Sequence, residues 1–325
     1  MDVFPTWFSP ESDLMCPVCH GPLQARENQI ECKECYEVYW IRDGIPYFVN
    51  LQALEEFEKE ESEFHSHIAA EADKAHGQAT LRAKYLHNGF LAPILELPTE
   101  SLLLDVACGS GIDIVRLAKQ GYRVIGVDIA PGMIRIARRK IEEAGLSDHV
   151  FLCVASAGQL PFHDTRFQAT YICAALHHMP NPTTVLCELA RVTQSNGIVS
   201  IGSEPNAWIY KFRSIKHSKY GRRLLSLLRD DYTIGKQSPG DRETAGWSSR
   251  DWPRIVHGTG LELVKANPVW YLNGIASLLG LHSLPRWLEA AICRIDKFLT
   301  RVPLAKDYSV KWNVITRKKG GRTQS

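Results

Sequence analysis

No stretch of the 325-residue chain looks able to cross a bilayer: the longest apolar candidate, residues 269–284, is broken by Asn273 and His282 and falls short of the roughly 20 residues a spanning helix needs. Met1-Asp2-Val3-Phe4-Pro5 lacks the basic stretch and apolar run of a secretory signal. Internal repeats and low-complexity tracts are absent, which excludes solenoids and extended disorder. A secreted disulfide framework is also missing. Of nine cysteines, four cluster near the N-terminus, while Cys108, Cys153, Cys173, Cys187 and Cys293 lie singly in apolar sequence, as reduced core thiols do. Together these absences point to a cytoplasmic protein with no transmembrane segment.

What is present suits a folded enzyme-sized chain. Apolar residues make up 45% and charged residues 23%, and the length suits one large α/β domain with a small accessory module. The net charge of +2 hides an asymmetry, because residues 205–325 hold 22 Lys and Arg against nine Asp and Glu. A basic C-terminal half suits an anionic partner such as a phosphorylated substrate, a membrane surface or RNA; attraction to the acidic remainder is the plainer reading.

Residues 16–50 alternate short strand-like runs with turns. Residues 51–75 are polar, acidic and free of Gly and Pro; Leu51, Leu54, Phe57 and Phe64 are only loosely periodic, so this segment reads as a surface linker helix. From Ser101 the pattern becomes strand, Gly-rich turn, helix, strand, and it repeats to residue 201, implying a parallel sheet with helices on both faces. The expected organisation is a ribbon at 1–50, a helical linker at 51–98, an α/β domain at 99–318 with helical insertions at 208–246 and 272–306, and a disordered tail at 319–325.

Cys16-x2-Cys19 and Cys32-x2-Cys35, twelve residues apart, are two knuckles whose thiolates can converge on one tetrahedral zinc. Four thiolates close the coordination shell, so the zinc is structural. A unit of this size buries too little apolar surface to stand alone, and the metal dominates its stability.

Asp105-Val106-Ala107-Cys108-Gly109-Ser110-Gly111 follows the first strand, and Asp128 ends the second, 23 residues after Asp105. This pair resembles the cofactor motifs of class I methyltransferases, Rossmann-like enzymes that use S-adenosylmethionine (SAM). The resemblance continues through Asp128 to Met133, Leu160-Pro161-Phe162, Leu176-His177-His178-Met179 and Asn196-Gly197, covering roughly residues 100–205, and has a ubiquinone/menaquinone-type character. It implies that Asp105, Ala107, Cys108, Gly109, Ser110 and Gly111 border the methionyl part of SAM. It also implies that Asp128 holds the ribose, that Met133 packs against the adenine with Ser156-Ala157 at the position facing its amino group, and that Ile129 and Cys173 line the cofactor site. Two positions depart from the family pattern: Ala107 replaces the first Gly, and Ser156-Ala157 replaces Asp-Ala, which weakens the expected grip on SAM.

Methyl transfer needs alignment and exclusion of water; a base is needed only for a weakly acidic acceptor such as a hydroxyl. His177 and His178 are candidates for that base, and Glu204 for orienting the acceptor, each against a structural alternative. In the second insertion Leu284, Trp287, Leu288, Ala291, Ile292, Ile295, Phe298 and Leu299 form an apolar stripe flanked by Arg286, Arg294, Lys297 and Arg301, expected to pack on the core or to meet a lipid-like substrate or membrane. In the first insertion Arg213, Lys216, Lys219, Arg222 and Arg223 are expected to meet an anionic group. The acceptor is expected to be a small molecule or a lipid- or glycan-linked one, with RNA docked by the ribbon and a nonenzymatic SAM-binding scaffold as alternatives.

Overall fold

The structure is a computed structural model that describes residues 4–52, 54–76, 81–210, 238–278, 281 and 284–320. Its centre is a seven-stranded sheet in the order β10-β11-β9-β8-β5-β6-β7. The strands are β5 (Leu102–Val106), β6 (Arg123–Asp128), β7 (Val150–Val154), β8 (Phe167–Cys173), β9 (Thr193–Pro205), β10 (Leu261–Val269) and β11 (Lys311–Lys318). β5 to β9 pair in parallel, whereas β11 runs antiparallel to both of its neighbours.

Every residue of β5 and β7 is buried, as in strands covered on both faces. Alternation divides their side chains. Leu102, Leu104 and Val106 join Ile125, Val127, Phe151 and Cys153 in one core, while Leu103, Val124, Val150, Leu152 and Val154 face the other. The second core is covered by α3 (Leu81–Leu91), α4 (Ile112–Ala118) and α5 (Pro131–Glu143). The first is covered by α6 (Pro182–Val192) and α9 (Asp251–Val256), whose Trp252 is fully buried. The chain runs outward from β5 through β6 to β7 and returns to β8 on the other side of β5. This creates a switch point, and a crevice opens at the carboxyl ends of β5 and β8.

The N-terminal unit comprises α1 (Pro10–Asp13) and the antiparallel strands β1 (Leu23–Ala25), β2 (Gln29–Cys32), β3 (Val38–Arg42) and β4 (Ile45–Pro46). It clasps the edge strand β7. Phe48 N–H donates to Val154 O at 2.7 Å, Tyr47 bridges Val154, Leu14 bridges Phe162, and the Phe8 ring stacks on Phe151 at 4.1 Å. Leu23, Ile30, Tyr39 and Phe48 share the core of Phe151, so residue 50 ends a segment of chain and not a unit of packing.

Helix α2 (Glu56–His76) departs from its expected role as a surface linker. Ile68, Ala69 and Ala72 are buried against Ala130 and Met133, and the Ser66 backbone sits where a Cβ on Gly132 would come within 2.6 Å. Beyond β9 lie α7 (Ala207–Tyr210) and α8 (Pro239–Glu243); α10 (Leu272–Leu278) and α11 (Arg286–Leu299) connect β10 to β11. The expected basic cluster Arg213, Lys216, Lys219, Arg222 and Arg223 lies outside the described residues. Of the expected tail, Lys319 still donates its N–H to Gly260 O, and 321–325 lie outside the described residues. Among the described residues no helix is long and apolar enough to cross a membrane.

Candidate functional site

The four N-terminal thiols converge as their spacing requires. Cys16 and Cys35 Sγ are 3.6 Å apart, Cys19 and Cys32 Sγ are 3.4 Å apart, and all four sulfurs lie within 4.8 Å of one another. Tetrahedral zinc with bonds of about 2.3 Å separates its sulfurs by roughly 3.8 Å, so the cluster fits that ion. The turns also aim backbone N–H groups at sulfur: Gly21 donates to Cys19 Sγ, and Glu34 and Cys35 donate to Cys32 Sγ, at 3.4–3.5 Å. Such donors stabilise thiolate charge, which suits a closed structural site.

The loop after β5 turns sharply. Ala107, Gly109 and Gly111 take φ of 55°, 53° and 72°, so Ala107 adopts the left-handed backbone that glycine ordinarily supplies at this point of the motif. A Cβ placed on Gly109 would meet nothing within 4 Å, which leaves open space beside the loop for an extended ligand. Asp128 closes the other side. Its Oδ2 accepts the Gly109 N–H and its Oδ1 the Ala130 N–H, both at 2.8 Å, so the carboxylate ties the ends of β5 and β6 together and keeps lone pairs for ribose hydroxyls. Burial raises its pKa, as it does more strongly for Asp105. Open space at Gly109 and a two-oxygen acceptor at Asp128 fit the aminoacyl and ribose parts of SAM.

Helix α2 packs along the segments that hold Ile129, Met133 and Ser156. Ser156 Oγ donates to Glu58 Oε1 at 2.7 Å, Ile129 O accepts Ser62 Oγ at 2.8 Å, Gly132 N–H donates to Ser66 Oγ at 3.1 Å, and Met133 packs on Ile68 and Ala69. Ala157 is buried beside Ser156. Ser110 Oγ lies 3.5 Å from Lys140 Nζ, and Cys108 is partly exposed. Cys173, at the end of β8, lies with Asp113 and His87, whose own atoms pair at 2.8 Å.

Across the crevice His177 and His178 occupy a 3-10 turn (Leu176–His178), and their surroundings shift them in opposite directions. Glu204 is fully buried. Its Oε1 accepts the N–H groups of Ala175 and Leu176 at 3.0 and 2.9 Å, and its Oε2 accepts the His177 backbone N–H at 3.1 Å and lies 2.9 Å from His177 Nδ1. Glu204 therefore organises the turn, its oxygens taken by three backbone N–H groups and the His177 ring, which fits the structural alternative to an orienting role. Burial disfavours a charge on His177, but Glu204 on one side and Asp241 on the other overcome this and lift its pKa to about 9. His177 is an imidazolium at neutral pH.

His178 goes the other way: burial and the neighbouring His177 charge push its pKa below the ordinary value. Its Nδ1 lies 2.9 Å from Ser238 Oγ and 3.3 Å from Glu61 Oε2, and Nε2 has no partner among the described residues. Glu61 comes from α2, as does His65, whose Nε2 is 3.0 Å from Glu61 Oε2 and whose ring meets His178 edge-on. Sequence reasoning missed Glu61, His65, Ser238 and Asp241. The Glu61-x3-His65 spacing, which puts both on one helix face, was the available signal.

Residues 104–201 match the methyltransferase-domain family Methyltransf_11, and residues 14–44 match the Trm112p-like protein family. Sterol 4-C-methyltransferase strm-1 of Caenorhabditis elegans is 31% identical over 37% of this chain and 35% of its own. Demethylmenaquinone methyltransferase of Symbiobacterium thermophilum is 33% identical over 34% of this chain and 45% of its own. The chain thus spans less than half the length of these relatives. Among solved structures, the [4+2]-cyclase SpnF shares the fold, with a TM-score of 0.53 at 18% identity over 81% of this chain and 96% of that one.

Proposed function

We propose that this chain, which carries a methyltransferase domain behind a Trm112p-like zinc ribbon, transfers the methyl group of SAM to a small, largely apolar acceptor bound at the β8 and β9 side of the crevice. The observation that carries this reading is the division of the crevice: open space at Gly109 and the Asp128 carboxylate lie on one side, and His177 and His178, shifted in opposite directions, stand across the switch point.

The sulfonium of bound SAM supplies an activated methyl group. Asp128 would hold the ribose hydroxyls, and the Gly109 loop would admit the aminoacyl end close to backbone. For a hydroxyl acceptor, His178 takes the proton at Nε2 as the oxygen is methylated, with Glu61 and Ser238 holding the Nδ1 side. His177, held between Glu204 and Asp241, fixes the turn that presents His178.

A small acceptor accords with relatives whose names specify a sterol and a demethylmenaquinone. The ribbon clasps β7, on the cofactor side of the sheet, and from Cys16 to Cys35 it carries Arg26 and Lys33 against Glu27, Glu31 and Glu34, a poor surface for gripping phosphates. The test is to incubate the full chain with methyl-labelled SAM and, in parallel, a lipid-soluble cell extract and total RNA. Label in small organic products that disappears with His178→Gln, while that variant still binds SAM, is the expected result. Label confined to RNA would overturn the proposal.

A further inference from the structure

Helix α11 is inside out. The residues it buries are acidic: Glu289 is 5% exposed and accepts the Leu81 N–H at 3.2 Å, and Asp296, fully buried, accepts the N–H groups of Tyr271, Leu272 and Asn273 at 2.7–3.3 Å and Asn273 Nδ2 at 2.9 Å. Those bonds fasten α11 across the N-termini of α3 and α10. The opposite face carries Trp287, Ile295 and Phe298, which are 72%, 46% and 65% exposed. At 100° per residue these three fall on one stripe about 80° wide. The expectation that the apolar stripe packs on the core therefore holds only for its inner margin.

Beside this stripe stand Arg286, Arg294, Lys297 and Arg301, all exposed, and none has a carboxylate within ion-pair distance among the described residues. The chain just beyond continues the pattern, with Leu304 and Tyr308 also exposed. The position is informative as well. β10 ends at Val269, paired with Lys311, which in turn pairs with Pro205 at the carboxyl end of β9. The Asp296 end of α11 therefore sits at the crevice end of the sheet.

We propose that α11 is an interfacial helix that seats the protein on an anionic membrane surface, with Trp287, Ile295 and Phe298 entering the headgroup and acyl boundary while the four cations meet lipid phosphates. Charge complementarity selects this occupant: a protein partner for the stripe would need a dense acidic rim, whereas an anionic bilayer presents one over any area. Given the methyl-transfer reading, on which this last point rests, a membrane-dissolved acceptor would enter the crevice from the seated side.

Docking can be measured without any activity, so it stands or falls apart from the function. The full chain is sedimented with phosphatidylcholine vesicles with and without phosphatidylglycerol. We expect binding that requires phosphatidylglycerol, weakens with salt, and drops at least about tenfold in a Trp287→Ser/Phe298→Ser variant and in an Arg294→Glu/Lys297→Glu variant. All four side chains are exposed, so both variants should keep the wild-type melting temperature and SAM affinity. A wild-type chain that stays in the supernatant with both vesicle types would overturn the proposal, as would variants that sediment like wild type. So would a wild-type dimer dispersed by Trp287→Ser/Phe298→Ser, since the stripe would then cover a second copy.

Discussion

The contact that sets the charge of the Leu176–His178 turn is Glu204 to His177, and a Glu204→Gln substitution isolates it. In the wild type His177 titrates at about 9 against an ordinary value of about 6.5. That difference of roughly 2.5 pH units corresponds to about 3 kcal/mol favouring the imidazolium, at roughly 1.4 kcal/mol per unit. The substitution removes the full charge and turns an amide NH2 toward backbone donors, which leaves Asp241 alone to oppose burial, so the His177 pKa should fall well below its wild-type value.

The stability consequence has a definite sign. A raised histidine pKa contributes stability that is fully present below about 6.5 and is lost as pH climbs through about 9, whereas the depressed pKa of Glu204 gives a contribution that is lost as pH falls through its folded value. The deficit of Glu204→Gln should therefore be largest on a plateau between about pH 5 and 6.5, at roughly 3 kcal/mol or more, and should shrink toward about pH 9 and above. Carbon-13 labelled histidine NMR gives the titration, and urea unfolding at several pH values gives the stability. A wild-type His177 that titrates near its ordinary value, or one that titrates identically in the variant, would refute the argument.

Three further outcomes follow. Asp128→Ala should weaken SAM binding by roughly tenfold or more, since two acceptor contacts of about 0.5–1.5 kcal/mol each are lost, and calorimetric titration checks this. Gly132→Ala should destabilise the fold by about 1–3 kcal/mol because its Cβ would press on the Ser66 backbone at 2.6 Å and lift α2; unchanged urea unfolding would count against that packing. The purified chain should hold one zinc, and chelation should lower both its melting temperature and its SAM affinity. Elemental analysis with thermal melts decides this, and an unaffected melt would deny the ribbon its part in the core.

The elements legible in the sequence were those written in local chemistry. The cysteine knuckles, the strand and Gly-rich turn at 102–111, and Asp128 all state a backbone geometry within a few residues. Three features resisted because long-range packing decides them. α2 is polar and weakly periodic, so beyond the Glu61-x3-His65 spacing nothing local marks Glu61 and Ser62 as turning inward to meet His178 and Ile129. Glu204 stands at a strand end beside the switch point, yet three backbone N–H groups and an imidazole claim its oxygens. The apolar stripe of α11 is plain in the sequence, but its two buried carboxylates decide which side faces in.

The clasp of the N-terminal unit on β7 has a consequence for synthesis. Tyr47 and Phe48 leave the ribosome about a hundred residues before Val154, the strand residue they meet. At translation rates of roughly 5–20 residues per second, this apolar surface waits on the order of 5 to 20 seconds without its partner. Early zinc capture would keep the nascent unit folded through that interval, so a shortage of the metal would be felt first as loss of newly made protein.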